Sequence, residues 1–466
     1  MSDTHQRLDA FLAHPHRAVW TVSAPMMAGM VVMVLTSVIE TVFVGRLGHE
    51  ALAAQTLVFP LFFAMISIVN GIGTGITALV AQAIGRRDLA EAERIGGTAI
   101  AFGIMLGAAF ALIFVLGGHG LLRHLGATAG VFELAWQYFV ILALASPLMF
   151  VGAFLRFVLN GEGDSKTPML VMLVVTCVNL VLDYLLIFRA GLGLRGAALA
   201  GALSQGLMAL VMLYLLLYRR SNLVKLHWRN LVPSWSAARA VLAVGIPNSL
   251  TQLSTALGAL LLNRVIVSFG DEALAAAGIG QRVDQVAIMP VMGLAAGSVA
   301  VIGMFAGAGR ADLVRDTTWY ACKWAVAVAG VLGVLAFTFS VPLMRAFTTD
   351  PVTIAVGRHY LLYMVFAYPP LGLVMITARV LLGLSYPNLS LFIVALRSFL
   401  LAVPIAYVSV FALHAPLDGV WAGILCGTFG GAALAVWLVW QIVWVGDPTL
   451  RASGRRSLTD LESPVV

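Results

Sequence analysis

The chain has 466 residues, of which 61% are hydrophobic and 11% charged, against about 25% charged in soluble domains. Its formal charge is +7, carried by Lys and Arg that stand singly or in small groups between apolar runs rather than on one basic face with interleaved aromatics. The composition excludes a water-soluble globular fold, and the charge pattern argues against a nucleic-acid partner.

Residues 1–17 carry charges and histidines without the short apolar core and small-residue cleavage site of a secretory signal, and read as a cytoplasmic N-terminal segment. Apolar runs long enough to cross a bilayer then follow one another. They predict spans at 18–45, 54–83, 96–118, 133–158, 168–189 and 195–218, then at 240–268, 275–306, 318–341, 355–382, 388–412 and 418–445. Between the two sets, 219–239 is polar and basic, with Arg219, Arg220, Lys225 and Arg229, and reads as a cytoplasmic linker. A cytoplasmic tail at 446–466 carries Arg451, Arg455 and Arg456. With both termini inside, most Lys and Arg fall on cytoplasmic segments, which is the bias that sets topology. The expected location is a bacterial inner membrane, the expected state a monomer in the bilayer. Cys177, Cys322 and Cys426 all fall within spans and read as small packing residues.

The chain repeats itself at an offset of 222 residues. Leu47 to Ala54 reads LGHEALAA and Phe269 to Ala276 reads FGDEALAA; the same offset pairs Pro25 with Pro247, Gly75 with Gly297, Gly85 with Gly307, Pro147 with Pro369 and Gly161 with Gly383. Six spans per copy is an even number, so both copies start on the same face. The predicted fold is an all-α integral membrane protein of twelve transmembrane helices in two six-helix lobes, 18–218 and 240–445, related by a parallel repeat. Pro25 and Pro247 each interrupt a helix by removing a backbone donor, and two readings stand: a fixed kink or a bendable first helix.

Ionisable groups inside a bilayer default to function. The first half places Glu40 in its first span and Asp183 in its fifth, with Asn179 and Thr176 on the same helical stripe as Asp183. The second half places Leu262 opposite Glu40. If three residues are deleted before Pro387, it also places Ser398 and Ala402 opposite Asn179 and Asp183, so a lobe folds without acids there. Two approaching carboxylates cannot both ionise cheaply, so the pair is expected to share a proton or hold a small cation such as sodium. In the eighth span Gln281, Arg282 and Asp284 form a second polar group, with two readings: a substrate contact or gate, or an internal Arg282–Asp284 brace. No phosphate loop, HExxH, GxSxG or Cys/His ligand cluster is present, which argues against an enzyme or a resident cofactor.

Glu40-Thr41-Val42-Phe43-Val44-Gly45-Arg46-Leu47-Gly48, Gln82-Ala83-Ile84-Gly85, Asn160-Gly161-Glu162-Gly163-Asp164, Asn179 to Asp183, Gly196-Ala197-Ala198 and Gly278-Ile279-Gly280-Gln281-Arg282-Val283 keep their order and spacing over nearly the whole chain. On these residues the chain resembles the multidrug and toxic compound extrusion (MATE) family, and most of all its DNA-damage-inducible (DinF-like) branch. The resemblance implies a MATE/MOP-type fold and an antiporter that exports organic cations and amphipathic drugs by alternating access against inward proton or sodium flow. It also implies an ion site at Glu40, Asn179 and Asp183, a bending proline at Pro25 and a cavity tyrosine at Tyr138. Two departures stand out: glutamate replaces the usual aspartate at 40, and Gly201 replaces a threonine, with Ser204 one turn away. A lipid-linked oligosaccharide flippase and a non-transporting scaffold or receptor are the alternatives.

Overall fold

The computed structural model describes residues 2–124, 129–218, 224 and 234–449, and of residues 2–6, 124 and 129 only the backbone. Linker residues Arg219, Arg220, Lys225 and Arg229, and tail residues Arg451, Arg455 and Arg456, lie outside the described residues. All regular structure among the described residues is helical. After α1 (Ser2–Ala13) come α2 (Pro15–Gly45), α3 (His49–Gly85), α4 (Leu89–His124) and α5 (Ala129–Gly161). The first half ends with α6 (Lys166–Arg189) and α7 (Gly193–Tyr218). The second half contains α8 (Trp235–Phe269), α9 (Asp271–Gly307), α10 (Ala311–Thr338), the short α11 (Ser340–Arg345), α12 (Pro351–Gly383), α13 (Pro387–Ala412) and α14 (Asp418–Val445).

Twelve of these helices are long and apolar enough to span a membrane, one for each expected span. Several run past the apolar stretch, as α4 does from Leu89 to His124 where 96–118 was expected. The added turns are polar and are capped at their ends. Asp88 accepts from the Glu91 amide at 3.0 Å, Asp164 from the Thr167 amide at 3.1 Å, and Asp350 from the Thr353 amide at 2.7 Å. Large apolar side chains face outwards, among them Leu112 at 62% and Leu116 at 75% exposure on α4. Such a surface is stable only with lipid as its solvent, so this is a multi-pass membrane protein.

The chain divides into two compact units. One comprises 1–9 and 28–245, the other 10–27 and 246–466. The first helix of each half therefore changes unit partway along: α2 after Met27 and α8 after Gly245. Pro25 and Pro247 lie beside these two points. In the first unit, Ile76, Val80, Phe150, Phe154 and Met212 form part of a continuous core. There α4 and α5 meet backbone to backbone. A Cβ on Gly107 would lie 2.4 Å from Pro147 Cα, and Ser146 Oγ donates to the Gly107 carbonyl at 2.8 Å. In the second unit the inner side of α2 is fixed by polar and aromatic groups. His16 stacks on Tyr320 at 4.0 Å and pairs with Asp316 at 2.9 Å, while Trp20 Nε1 donates to Tyr320 Oη at 2.9 Å.

The structure corrects one detail of the repeat. The π-helical turn Leu185–Arg189 recurs as Val408–Ala412, and the packing of Gly196 on Leu186 recurs as Gly419 on Ser409, so beyond this point the offset is 223. One extra residue is absorbed in the π-helical segment Leu396–Ala402, whose first-half counterpart is plain α-helix. No deletion before Pro387 is needed. The counterparts of Asn179 and Asp183 are therefore Ala402 and Ala406, not Ser398 and Ala402, and the second half builds its lobe without an acid at either position.

Candidate functional site

Three helices of the first unit bring the expected residues together. Glu40 comes from α2, Asn179 and Asp183 from adjacent turns of α6, and Ser204 from α7; the last three are buried, at 6%, 3% and 4% exposure, and Glu40 is half-buried. The donors and acceptors around the Asn179 amide are satisfied together when its NH2 faces the acids. So turned, it donates to Glu40 Oε1 at 2.8 Å and to Asp183 Oδ2 at 3.2 Å, and its oxygen accepts from Ser204 Oγ at 3.3 Å. One amide thus ties two carboxylates to a third helix.

The remaining expected residues fall nearby or elsewhere. Tyr138 on α5 lies within electrostatic reach of both Glu40 and Asp183. Thr176, one turn before Asn179, is half-buried and takes no part in the amide network. At Gly201 the nearest atom to a built Cβ is Leu142 Cδ2 at 3.8 Å, so the missing threonine leaves room rather than a clash. Pro25 is buried, but in the part of α2 that belongs to the other compact unit.

Among the described residues no basic side chain forms an ion pair with Glu40 or Asp183. Ion pairs such as Arg87–Asp9 at 2.8 Å and Arg310–Asp312 at 2.7 Å involve other residues. A carboxylate pair that shares a single amide in a low-dielectric surrounding is stabilised by a positive species joining it. No group of three or more His, Cys, Asp or Glu suited to a metal ion occurs among the described residues.

The second polar group does not form the brace of the one sequence reading. Arg282 and Asp284 are two residues apart, about 200° around a helix, so they cannot form the expected brace. Arg282 is exposed and lies 6.0 Å over the Phe347 ring, and among the described residues it makes no ion pair with Asp284. Asp284 instead accepts from two phenols of α12, Tyr360 and Tyr368, the latter at 2.5 Å. Gln281 Nε2 donates to Asn263 of α8 at 3.0 Å. These partners lie 76 and 84 residues from Asp284 and were not anticipated. The only sequence signal for them is that two tyrosines eight residues apart share one helical face.

The MatE family model matches residues 25–185 and again 247–408. The two matches start 222 residues apart and end 223 apart, as the repeat requires. Among curated proteins the chain is 28% identical over 426 residues to the FAD transporter of Shewanella oneidensis, covering 90% of this chain and 92% of that one. It is 27% identical over 431 residues to the "Probable multidrug resistance protein YoeA" of Bacillus subtilis, again covering 90% and 92%. A solved outward-facing multidrug resistance MATE transporter of the MOP superfamily superposes with a TM-score of 0.87 at 28% identity, over 92% of this chain and 96% of the other. With both halves matched and the architecture shared over 92% of its length, the chain belongs to the MatE family of multidrug efflux transporters, which are carriers and not enzymes.

Proposed function

We propose that the chain is a secondary active antiporter that exports organic cations and amphipathic drugs by alternating access, and that Glu40, Asn179 and Asp183 hold the coupling ion. The observation that carries this reading is the Asn179 amide bridging two membrane-embedded carboxylates at 2.8 and 3.2 Å, with no basic side chain paired to them among the described residues. The second half, which folds with alanines in place of Asn179 and Asp183, supports a function rather than a packing role.

A proton suits the site better than sodium. Gly201 stands where the resemblance expects a threonine, so the site lacks a hydroxyl that sodium, which takes several oxygen ligands, would use, whereas a proton needs only one base. In the proposed cycle a proton from outside joins the pair, removes the repulsion between its members and biases α2 and α6 towards one of two packings; loss of that proton to the cytoplasm resets them. The bias of Lys and Arg towards one side supports cytoplasmic termini and a bacterial inner membrane.

The test is efflux of a cationic dye from proteoliposomes with proton and sodium gradients imposed separately. Efflux driven by the proton gradient alone, abolished in Glu40→Gln and Asp183→Asn, is expected. Undiminished efflux in both variants rejects the site, and efflux driven only by sodium rejects the choice of ion.

A further inference from the structure

Arg397 lies eleven residues into α13, within the membrane span; it is half-buried, and its Nε has no hydrogen-bond partner among the described residues. Its Nε is sealed from solvent. A guanidinium placed in a low-dielectric surrounding without a counter-ion is costly, and the cost is tolerated where an anion completes the site. The charge is not a requirement of the fold. Arg397 is the second residue of the π-helical segment, and by the offsets on either side of that segment its first-half counterpart is Val175 or Val174, apolar in either case.

Three further features show that the position is built around the arginine. The one-residue insertion that distinguishes the halves, Leu396–Ala402, begins beside it, and single π-helical insertions concentrate at functional sites. Gly431 of α14 makes room for the stem: a Cβ there would lie 2.9 Å from Arg397 Cβ and 3.1 Å from Cγ. Seven residues earlier, on the same helical face, Ser390 is 1% exposed and its Oγ also lacks a partner. Side chains on a helix lean towards its N-terminus, so the arginine stem leans along α13 towards Ser390. Two orphaned donors on one face of one helix call for the same kind of partner.

We propose that Arg397 and Ser390 form an anion-binding subsite in the second half that takes a phosphate or carboxylate group. The group belongs either to an amphipathic ligand or to a bilayer phospholipid; the chemistry at the guanidinium is the same. The subsite is independent of the acid pair in the first half, and its ligand is opposite in charge to the cations assigned above.

The experiment uses the full-length protein in phosphatidylcholine nanodiscs and two probes that differ by one phosphate, riboflavin and riboflavin 5′-phosphate. Binding is read by flavin fluorescence. A charge-assisted contact at the guanidinium predicts a preference of about tenfold or more for the phosphorylated probe. Arg397→Gln should lose the preference while riboflavin binding stays unchanged, and Arg397→Lys should keep most of it. A parallel arm follows phosphatidylglycerol retained through purification by native mass spectrometry. Retention lost in Arg397→Gln assigns the subsite to a lipid headgroup, whereas a lost probe preference assigns it to a soluble anion. If neither the probe preference nor lipid retention responds to Arg397→Gln, the proposal is overturned. Arg397→Met supplies a readout that does not depend on a ligand: with no internal partner to lose, its thermal stability should match or exceed that of the wild type. A severe loss of stability would show that the guanidinium is paired within the protein, and would also overturn the proposal.

Discussion

Replacing Asn179 with alanine removes one donor from each of two carboxylates and the acceptor of Ser204 in a single step. A hydrogen bond to a charged group contributes about 1.5–3 kcal/mol. The 2.8 Å contact to Glu40 has the length of a charge-assisted bond and counts in full, while the 3.2 Å contact to Asp183 is long for one and counts less. The expected loss is about 2 kcal/mol of ion-site organisation, or roughly 30-fold in proton-driven efflux. Ser204→Ala serves as the control. It removes one neutral bond at 3.3 Å, costing about 0.5 kcal/mol, or roughly twofold. The assay is the initial rate of dye efflux from proteoliposomes under an imposed proton gradient, normalised to reconstituted protein. An Asn179→Ala rate within about twofold of wild type, or a Ser204→Ala loss as large as that of Asn179→Ala, would refute the reasoning.

Further outcomes follow from the packing. Gly107→Ala should lower stability by about 1–3 kcal/mol, because its Cβ meets Pro147 backbone at 2.4 Å, whereas Gly201→Ala, with 3.8 Å of clearance, should not destabilise in thermal unfolding of the purified protein. Tyr360→Phe should cost about 1–3 kcal/mol by leaving Asp284 short of a donor, and Arg282→Ala, on the exposed face, should stay within about 0.5 kcal/mol. Asp350 caps α12, and the Thr353 hydroxyl and amide hold its carboxyl below the ordinary value of 3.8. A lowered folded value means that the cap's contribution is present above pH 3.8 and fades as pH falls through the lower folded value. Asp350→Ala should therefore unfold at lower temperature than wild type at pH 7, with the gap closing in strong acid, and Asp350→Asn should keep most of the cap.

The spans were legible because lipid leaves no alternative: a charge-free run of some twenty residues has to be a helix, and its centre is fixed by composition. The helix ends were less legible, because their polar turns depend on caps such as Asp88 and Asp350. Glu40, Asn179 and Asp183 stood out because a carboxylate or amide between apolar neighbours is expensive, and α-helical spacing put two of them on one stripe. Their link to Ser204 depended on how α7 packs on α6 and could not be read from spacing alone. Nor could the partners of Asp284. Adjacency in sequence suggested Arg282, but a helix separates residues two apart, and the phenols that satisfy the acid come from another helix. The crossing of α2 and α8 between compact units left one trace in sequence, the repeated prolines, which fit a static kink equally well. The single inserted residue at Leu396–Ala402 left no signal of its own in the sequence, where a deletion before Pro387 stood in for it.

The central claim, that the amide-bridged acids exchange a proton with substrate, is tested most directly by recording proton release from the purified, lightly buffered transporter when a cationic dye is added. The account predicts release from the wild type and none from Glu40→Gln/Asp183→Asn at saturating dye. Equal release from the double variant would contradict it, because the proton would then come from somewhere else.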